Sequence, residues 1–199
     1  MSLAESFWPR RTRSHSHSVR AKLRAATEEI HLSLHRAAPF AAIADGAATP
    51  ESYAATLDFL CCYHLAMAGW CRAGAEALGL EVLARAQRTR LDALRDDLAF
   101  FGRGQPAIAE EAAKVGAFAA GVLYTVQGST LGGKVIHRQL DGLLEGEGGR
   151  SFFKGGAEDG PHWRLLCEGL ERQSDEAALE AGARHAFARF ADMLAVAGR

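Results

Sequence analysis

Apolar residues recur along most of the chain at three- and four-residue spacing, and no stretch sustains the period-two alternation of a half-buried strand. The punctuation between the periodic segments is that of helices. A first helix is predicted over residues 19–38, stopping before Pro39. Thr49 followed by Pro50 reads as an N-cap with proline at the first helical position, opening a long helix toward Leu78. Gly79 separates it from a third helix over residues 81–101, ended by Gly102. Pro106 is expected to open a fourth segment that runs, with a bend, to Leu140. The glycine-rich stretch 142–160 reads as a loop, Pro161 as the start of a short helix, and Ser174 as the cap of a last one toward Leu194. Asp175 and Glu176 suit the positive end of that last helix. The expectation is an all-α, single-domain helical bundle over residues 19–199.

Composition narrows the class without changing the fold. A chain of 199 residues fits one domain with a substantial core, and 48% hydrophobic with 24% charged residues is ordinary for a globular protein. The formal net charge of −1 argues against bulk electrostatic binding to nucleic acid or to an anionic membrane. No apolar run is long enough to span a bilayer. Residues 1–18 are polar and basic, with Arg10, Arg11, Arg13, His15 and His17, and lack the apolar stretch of a secretory signal. They read as a disordered tail, and the protein as cytoplasmic. Cys61, Cys62, Cys71 and Cys167 form no C-x-x-C pair, which removes support for zinc ribbons, thioredoxin chemistry and covalent c-type haem attachment. The first three lie in an apolar helical stretch, where reduced cysteine packs as a small hydrophobe.

Candidate chemistry concentrates in two segments. On the first helix Leu23, Ala26, Thr27, Ile30 and Leu34 make an apolar stripe, with His31 at its edge and Arg24 and His35 near it on the same side. Arg24 and His31 stand two turns apart, roughly 10 Å along the axis. Glu28 and His31 have the i, i+3 spacing used in di-iron bundles, but such sites need two pairs and the chain has one. His31 and His35, at i, i+4, are spaced to grip a metal together, though no third ligand is evident. A lone histidine at the edge of an apolar face more commonly packs or caps.

The second segment is GVLYTVQGSTLGGKVIHRQL, residues 121–140. Gly128, Gly132 and Gly133 sit inside an otherwise helical pattern, each at a cost of about 0.8–1 kcal/mol relative to alanine. Gly128 and Gly132 lie one turn apart and clear a strip on which something flat could approach the backbone. Close helix–helix packing would use small residues equally well. The run from Gly128 to Lys134 also satisfies G-x-x-x-x-G-K, yet Val135 follows where a P-loop needs a hydroxyl, and the alternating strands and helices of that fold are missing.

Together these segments resemble the haem oxygenase family, particularly the bacterial branch that supplies biliverdin to bacteriophytochromes. LRAATEEIH, residues 23–31, is similar to the family's proximal-helix motif, and YTVQGSTLGG, residues 124–133, to its distal-helix motif. SFFKGG (residues 151–156), Trp163 and AFARF (residues 186–190) fit its C-terminal half. The resemblance implies His31 as axial ligand to haem iron, with Arg24, Arg164 and Tyr124 toward the propionates. It implies Gly128, Ser129 and Gly132 in the distal pocket, and Thr27 and Phe187 packed on the haem. The spacing of Arg24 and His31 matches the reach from iron to the rim of a haem lying along the helix. Two positions depart from the family: His35 stands where a carboxylate usually partners the axial histidine, and Gln127 where glutamate is common.

The implied activity is oxidation of haem to biliverdin, carbon monoxide and ferrous iron, with haem as both substrate and cofactor. It would use dioxygen and an external reductant such as a ferredoxin or a flavin reductase. Cleavage is expected at the α-meso carbon, and a bacteriophytochrome is the implied recipient of the product. The alternatives are a non-catalytic haem carrier or sensor, or a di-iron enzyme on the same fold.

Overall fold

The structure, a computed structural model, describes residues 18–197, with residues 130 and 131 described by their backbone only. Eight helices follow in order: α1 (Val19–His35), α2 (Ala38–Ala44), α3 (Pro50–Ala77), α4 (Glu81–Phe100), α5 (Ala117–Gln139), α6 (Ser151–Lys154), α7 (Asp159–Leu170) and α8 (Glu176–Ala197). No strand occurs among the described residues. The all-α expectation stands. The tail expected over residues 1–18 lies outside the described residues except for Ser18, which belongs to the helical domain. Its hydroxyl accepts from the Ala21 amide at 3.2 Å as the N-cap of α1.

Local chemistry explains most boundaries. Thr49 and Ser52 form a reciprocal capping box with Pro50 at the first helical position, starting α3 where the sequence suggests. Gly79 and Gly102, at φ +66° and +67°, close α3 and α4. Four boundaries differ from expectation. The helix predicted to Ala38 ends at His35, because Pro39 has no amide to give the His35 carbonyl and its ring would crowd it, so a new short helix begins instead. Pro106 opens nothing: residues 103–116 are irregular. The Glu111 amide bonds the Ala66 carbonyl at 3.0 Å, and its carboxylate accepts from Trp70 at 3.2 Å and Arg189 at 2.7 Å, which ties the segment across α3 and α8. The loop expected over 142–160 contains α6. The last helix is capped by Asp175 rather than Ser174; its carboxylate accepts from the Ala178 amide at 3.0 Å.

Helix α5 runs through the middle, packed between α3 and α8. Three glycines set how close these axes come. A Cβ on Gly74 of α3 would overlap the Ala119 carbonyl, one on Gly121 of α5 the Leu179 carbonyl, and one on Gly182 of α8 the Phe118 carbonyl. Around this crossing Met67, Cys71, Leu123, Leu166, Leu170, Leu179 and Ala183 are buried in one cluster. A second cluster, with Tyr53, Leu57, Leu94, Leu98 and Leu140, packs α3 against α4 and the end of α5. Cys61 and Cys71 are buried and all four cysteines are unbridged thiols, in keeping with a packing role. No helix among the described residues is long and apolar enough to cross a membrane.

Candidate functional site

A cleft opens where α1 lies across the C-terminal half of α5. Two connected chambers share His31, Thr125, Gly128, Ser129 and Phe187. The smaller, about 620 Å³ counted to its mouth, adds Arg24, Thr27, Glu28 and Tyr124. The larger, about 850 Å³ on the same basis, is walled mainly by apolar and aromatic side chains, including Leu34, Phe40, Leu60, Tyr63, Phe152 and Phe190. The mainly apolar and aromatic lining, with a few polar groups at one end, suits a mostly apolar ligand.

The proximal wall is α1. Its orientation is fixed at the N-terminus, where the Glu171 carboxylate accepts from the Val19 and Arg20 amides at 3.1 and 3.3 Å. Leu23 and Thr27 are buried against the core, and the Thr27 hydroxyl is turned back onto the Leu23 carbonyl at 2.8 Å, which leaves its methyl for the cleft. His31 is half-buried, with the Phe187 ring 5.8 Å from its own. Burial first, then the neighbouring His35 and Arg24, hold its pKa down to about 4, so the imidazole is neutral and able to ligate a metal at neutral pH. Burial lowers His35 as well. The Nε2 atoms of His31 and His35 lie 3.2 Å apart, with the ring planes nearly perpendicular.

The facing wall is α5, which is one continuous helix from Ala117 to Gln139. The Gly128–Lys134 run therefore lies within a helix and forms no phosphate loop. Gly128 lines both chambers, and a Cβ there would meet the Trp163 ring at 3.5 Å, an ordinary contact. Ser129 also lines both, and its hydroxyl donates to the Val126 carbonyl at 2.7 Å. Gly132 is buried one turn further along and is not among the residues lining the cleft. Gly133 serves packing: its Cβ would come within 3.0 Å of the Phe153 carbonyl.

The rim where carboxylates are expected has a mixed composition. Tyr124 is 2% exposed, and its hydroxyl has no hydrogen-bond partner among the described residues. Burial raises its pKa, and Arg24 lines the same chamber. A buried, orphaned hydroxyl in a chamber shared with a guanidinium group is a fitting place for a ligand carboxylate. Arg24 is partly exposed and 3.8 Å from Glu28. Arg20, one turn earlier on α1, stands 5.8 Å from the centre of the Trp163 ring and does not line the cleft. Arg164 is exposed on α7 and does not line the cleft.

Sequence reasoning passed over the end wall. His64 on α3 is 2% exposed and lines the larger chamber. Its Nδ1 lies 2.7 Å from Gln87 Nε2, and burial, then the nearby Arg90, press its pKa down to about 3. Phe152 packs on it, ring centres 5.3 Å apart, with the Arg90 guanidinium 4.6 Å from the centre of the Phe152 ring. The Asp97 carboxylate on α4 holds this wall by accepting from the Ser151 and Phe152 amides, both at 2.8 Å. Among the described residues no three His, Cys, Asp or Glu side chains gather as a metal cluster would require, so Glu28 and His31 face no second pair.

A neutral histidine on one wall, a wall cleared of side chain at Gly128, an apolar interior and a rim carrying Arg24 and the Tyr124 hydroxyl are features that a haem pocket in a helical protein requires. Comparison with known proteins agrees. Residues 17–196 match the family model described as "Heme oxygenase". A heme oxygenase of Xanthomonas campestris pv. campestris is 36% identical over 117 residues, which cover 56% of this chain and 71% of that protein. The crystal structures of NO- and CO-bound heme oxygenase from Neisseria meningitidis provide a chain that superposes with a TM-score of 0.72 at 26% identity, covering 91% of this chain and 92% of that one. The chain belongs to the haem oxygenase family. It is a haem-degrading enzyme of the biliverdin-producing type.

Proposed function

We propose that the α1–α5 cleft holds haem with His31 as its only protein ligand to iron, and that the ring is opened there at the α-meso carbon. The observation that carries this is the neutral, half-buried His31 imidazole facing a helix without a side chain at Gly128. Haem, once bound, supplies the site for dioxygen reduction and is itself the molecule oxidised. The residues of this chain do the rest. His31 would hold the haem iron, and His35, on the same helix one turn away, lies on the same wall of the cleft. The aromatic wall of Phe152, Phe153, Phe187 and Phe190 excludes water. Arg24 and the Tyr124 hydroxyl would orient the ligand by its carboxylates, and that orientation would select the meso carbon that is opened. Gly128 leaves the α5 face open to dioxygen, with Ser129 beside it.

Electrons come from an external donor, a ferredoxin or a flavin reductase, and the product supplies a bacteriophytochrome in the cytoplasm; these points rest on the family resemblance. The test is single turnover of the ferric haem complex with ascorbate under air. Disappearance of the Soret band with biliverdin IXα as the pigment recovered is the expected result. An intact Soret band would make the protein a carrier, and a different isomer would overturn the α assignment.

A further inference from the structure

The two histidines of α1 are arranged for a second kind of ligand. They sit one helical turn apart with both far ring nitrogens turned toward each other, Nε2 to Nε2 at 3.2 Å. Two imidazole nitrogens bonded to one ion at about 2.0–2.1 Å lie ~2.9 Å apart at a right-angled bite and ~3.3 Å apart at a tetrahedral one. The observed separation falls inside that interval. Without a metal the contact is an N–H···N bond, so an ion replacing the shared proton requires ring rotation and no change in the helix. The pair borders the larger chamber, which is open enough for water to complete the coordination.

We propose that in the haem-free protein His31 and His35 chelate a divalent transition-metal ion, and that this ion withholds His31 from haem. Imidazole pairs suit zinc, copper, nickel and ferrous iron, with copper the tightest of the divalent series. The withholding half of the inference rests on His31 being the axial ligand; the chelation half does not. Haem loading then depends on the metal status of the pool that meets the newly folded protein. The ion and the haem compete for the same Nε2 atom.

Nickel(II) is the probe, because thiolates such as Cys62 and Cys167 favour zinc. The protein is the full chain carrying His15→Ala and His17→Ala, which removes the histidines outside the described residues. Calorimetric titration of the haem-free protein should give one nickel site, weakened at least tenfold by either His31→Ala or His35→Ala. Saturating nickel should raise the haemin concentration for half-saturation at least tenfold in the parent and leave it unchanged in His35→Ala. Nickel affinity unchanged in both variants would overturn the chelate. Nickel binding that needs both histidines but leaves haemin uptake unaffected would overturn the competition. A haemin titration of His31→Ala without nickel then tells whether the axial assignment is what failed.

Discussion

Helix α5 contains two halves that use the same residue for opposite ends. In the N-terminal half Gly121 is buried at the crossing with α8, where a Cβ would overlap the Leu179 carbonyl. In the C-terminal half Gly128 faces the cleft, and a Cβ would touch only the Trp163 ring at an ordinary distance. Each glycine costs the helix about the same in propensity, close to 1 kcal/mol. What lies opposite decides its role: a backbone at Gly121 makes it part of the frame, and an open cleft at Gly128 makes it part of the site. Gly133, between the cleft residues Ser129 and Ile136, returns to the frame by approaching the Phe153 carbonyl.

The largest effect expected is therefore at the frame. Gly121→Leu forces α5 and α8 apart along a buried interface, and a backbone neighbour cannot turn aside as a side chain would. The overpacking cost of about 1–3 kcal/mol or more exceeds the roughly 1 kcal/mol gained in helix propensity. The variant should melt well below the parent or accumulate as insoluble protein, and a melting temperature at or above the parent's would contradict the crossing described. The cleft should answer differently. Gly128→Ala adds a methyl against Trp163 and should raise stability by up to about 1 kcal/mol while preserving biliverdin yield. Gly128→Leu should fold equally well and lose at least tenfold in ring opening, with haem affinity falling less. Equal yield from Leu and Ala would place Gly128 in the frame after all.

A smaller effect separates the two halves by pH. His64 lies at the cleft end, buried and neutral, with its folded pKa held at about 3 against 6.5 for the free side chain. The unfolded chain takes up this proton as the pH falls through 6.5 while the folded protein does not. Stability from this group is complete above that range and is lost progressively from pH 6.5 down to about 3. One proton gives a slope of at most about 1.4 kcal/mol per pH unit. Denaturant unfolding of the haem-free protein between pH 7.5 and 5 should show that loss together with those of His31 and His35, and His64→Phe should reduce the slope by the share of one proton. An unchanged slope in the variant would mean that His64 is protonated in the folded state.

Where local chemistry decides, the sequence was readable. The Thr49–Pro50 start, the Gly79 and Gly102 stops, and the α1 stripe that sets His31 at the edge of the core all depend on neighbours within a turn. Pro106 misled because Glu111 is tied to Ala66, Trp70 and Arg189, partners far away in sequence. Ser174 and Asp175 are both good caps, and nothing local chooses between them. The roles of Gly74, Gly121 and Gly182 depend on which backbone each faces, as the Asp97 cap on α6 depends on the meeting of α4 and α6. Arg164 was misplaced for the same reason: the rim is assembled from α1 and α5, and only the fold shows that Arg164 on α7 is exposed away from the cleft.

The claim on which the rest depends is that haem hangs from His31. Its most direct measurement is the absorption spectrum of ferric haem bound to parent, His31→Ala and His64→Ala proteins, before and after adding imidazole. Parent and His64→Ala should share one spectrum of histidine-ligated haem, and His31→Ala should lack it and regain it with imidazole. Loss of that spectrum in His64→Ala, with His31→Ala unchanged, would contradict the account.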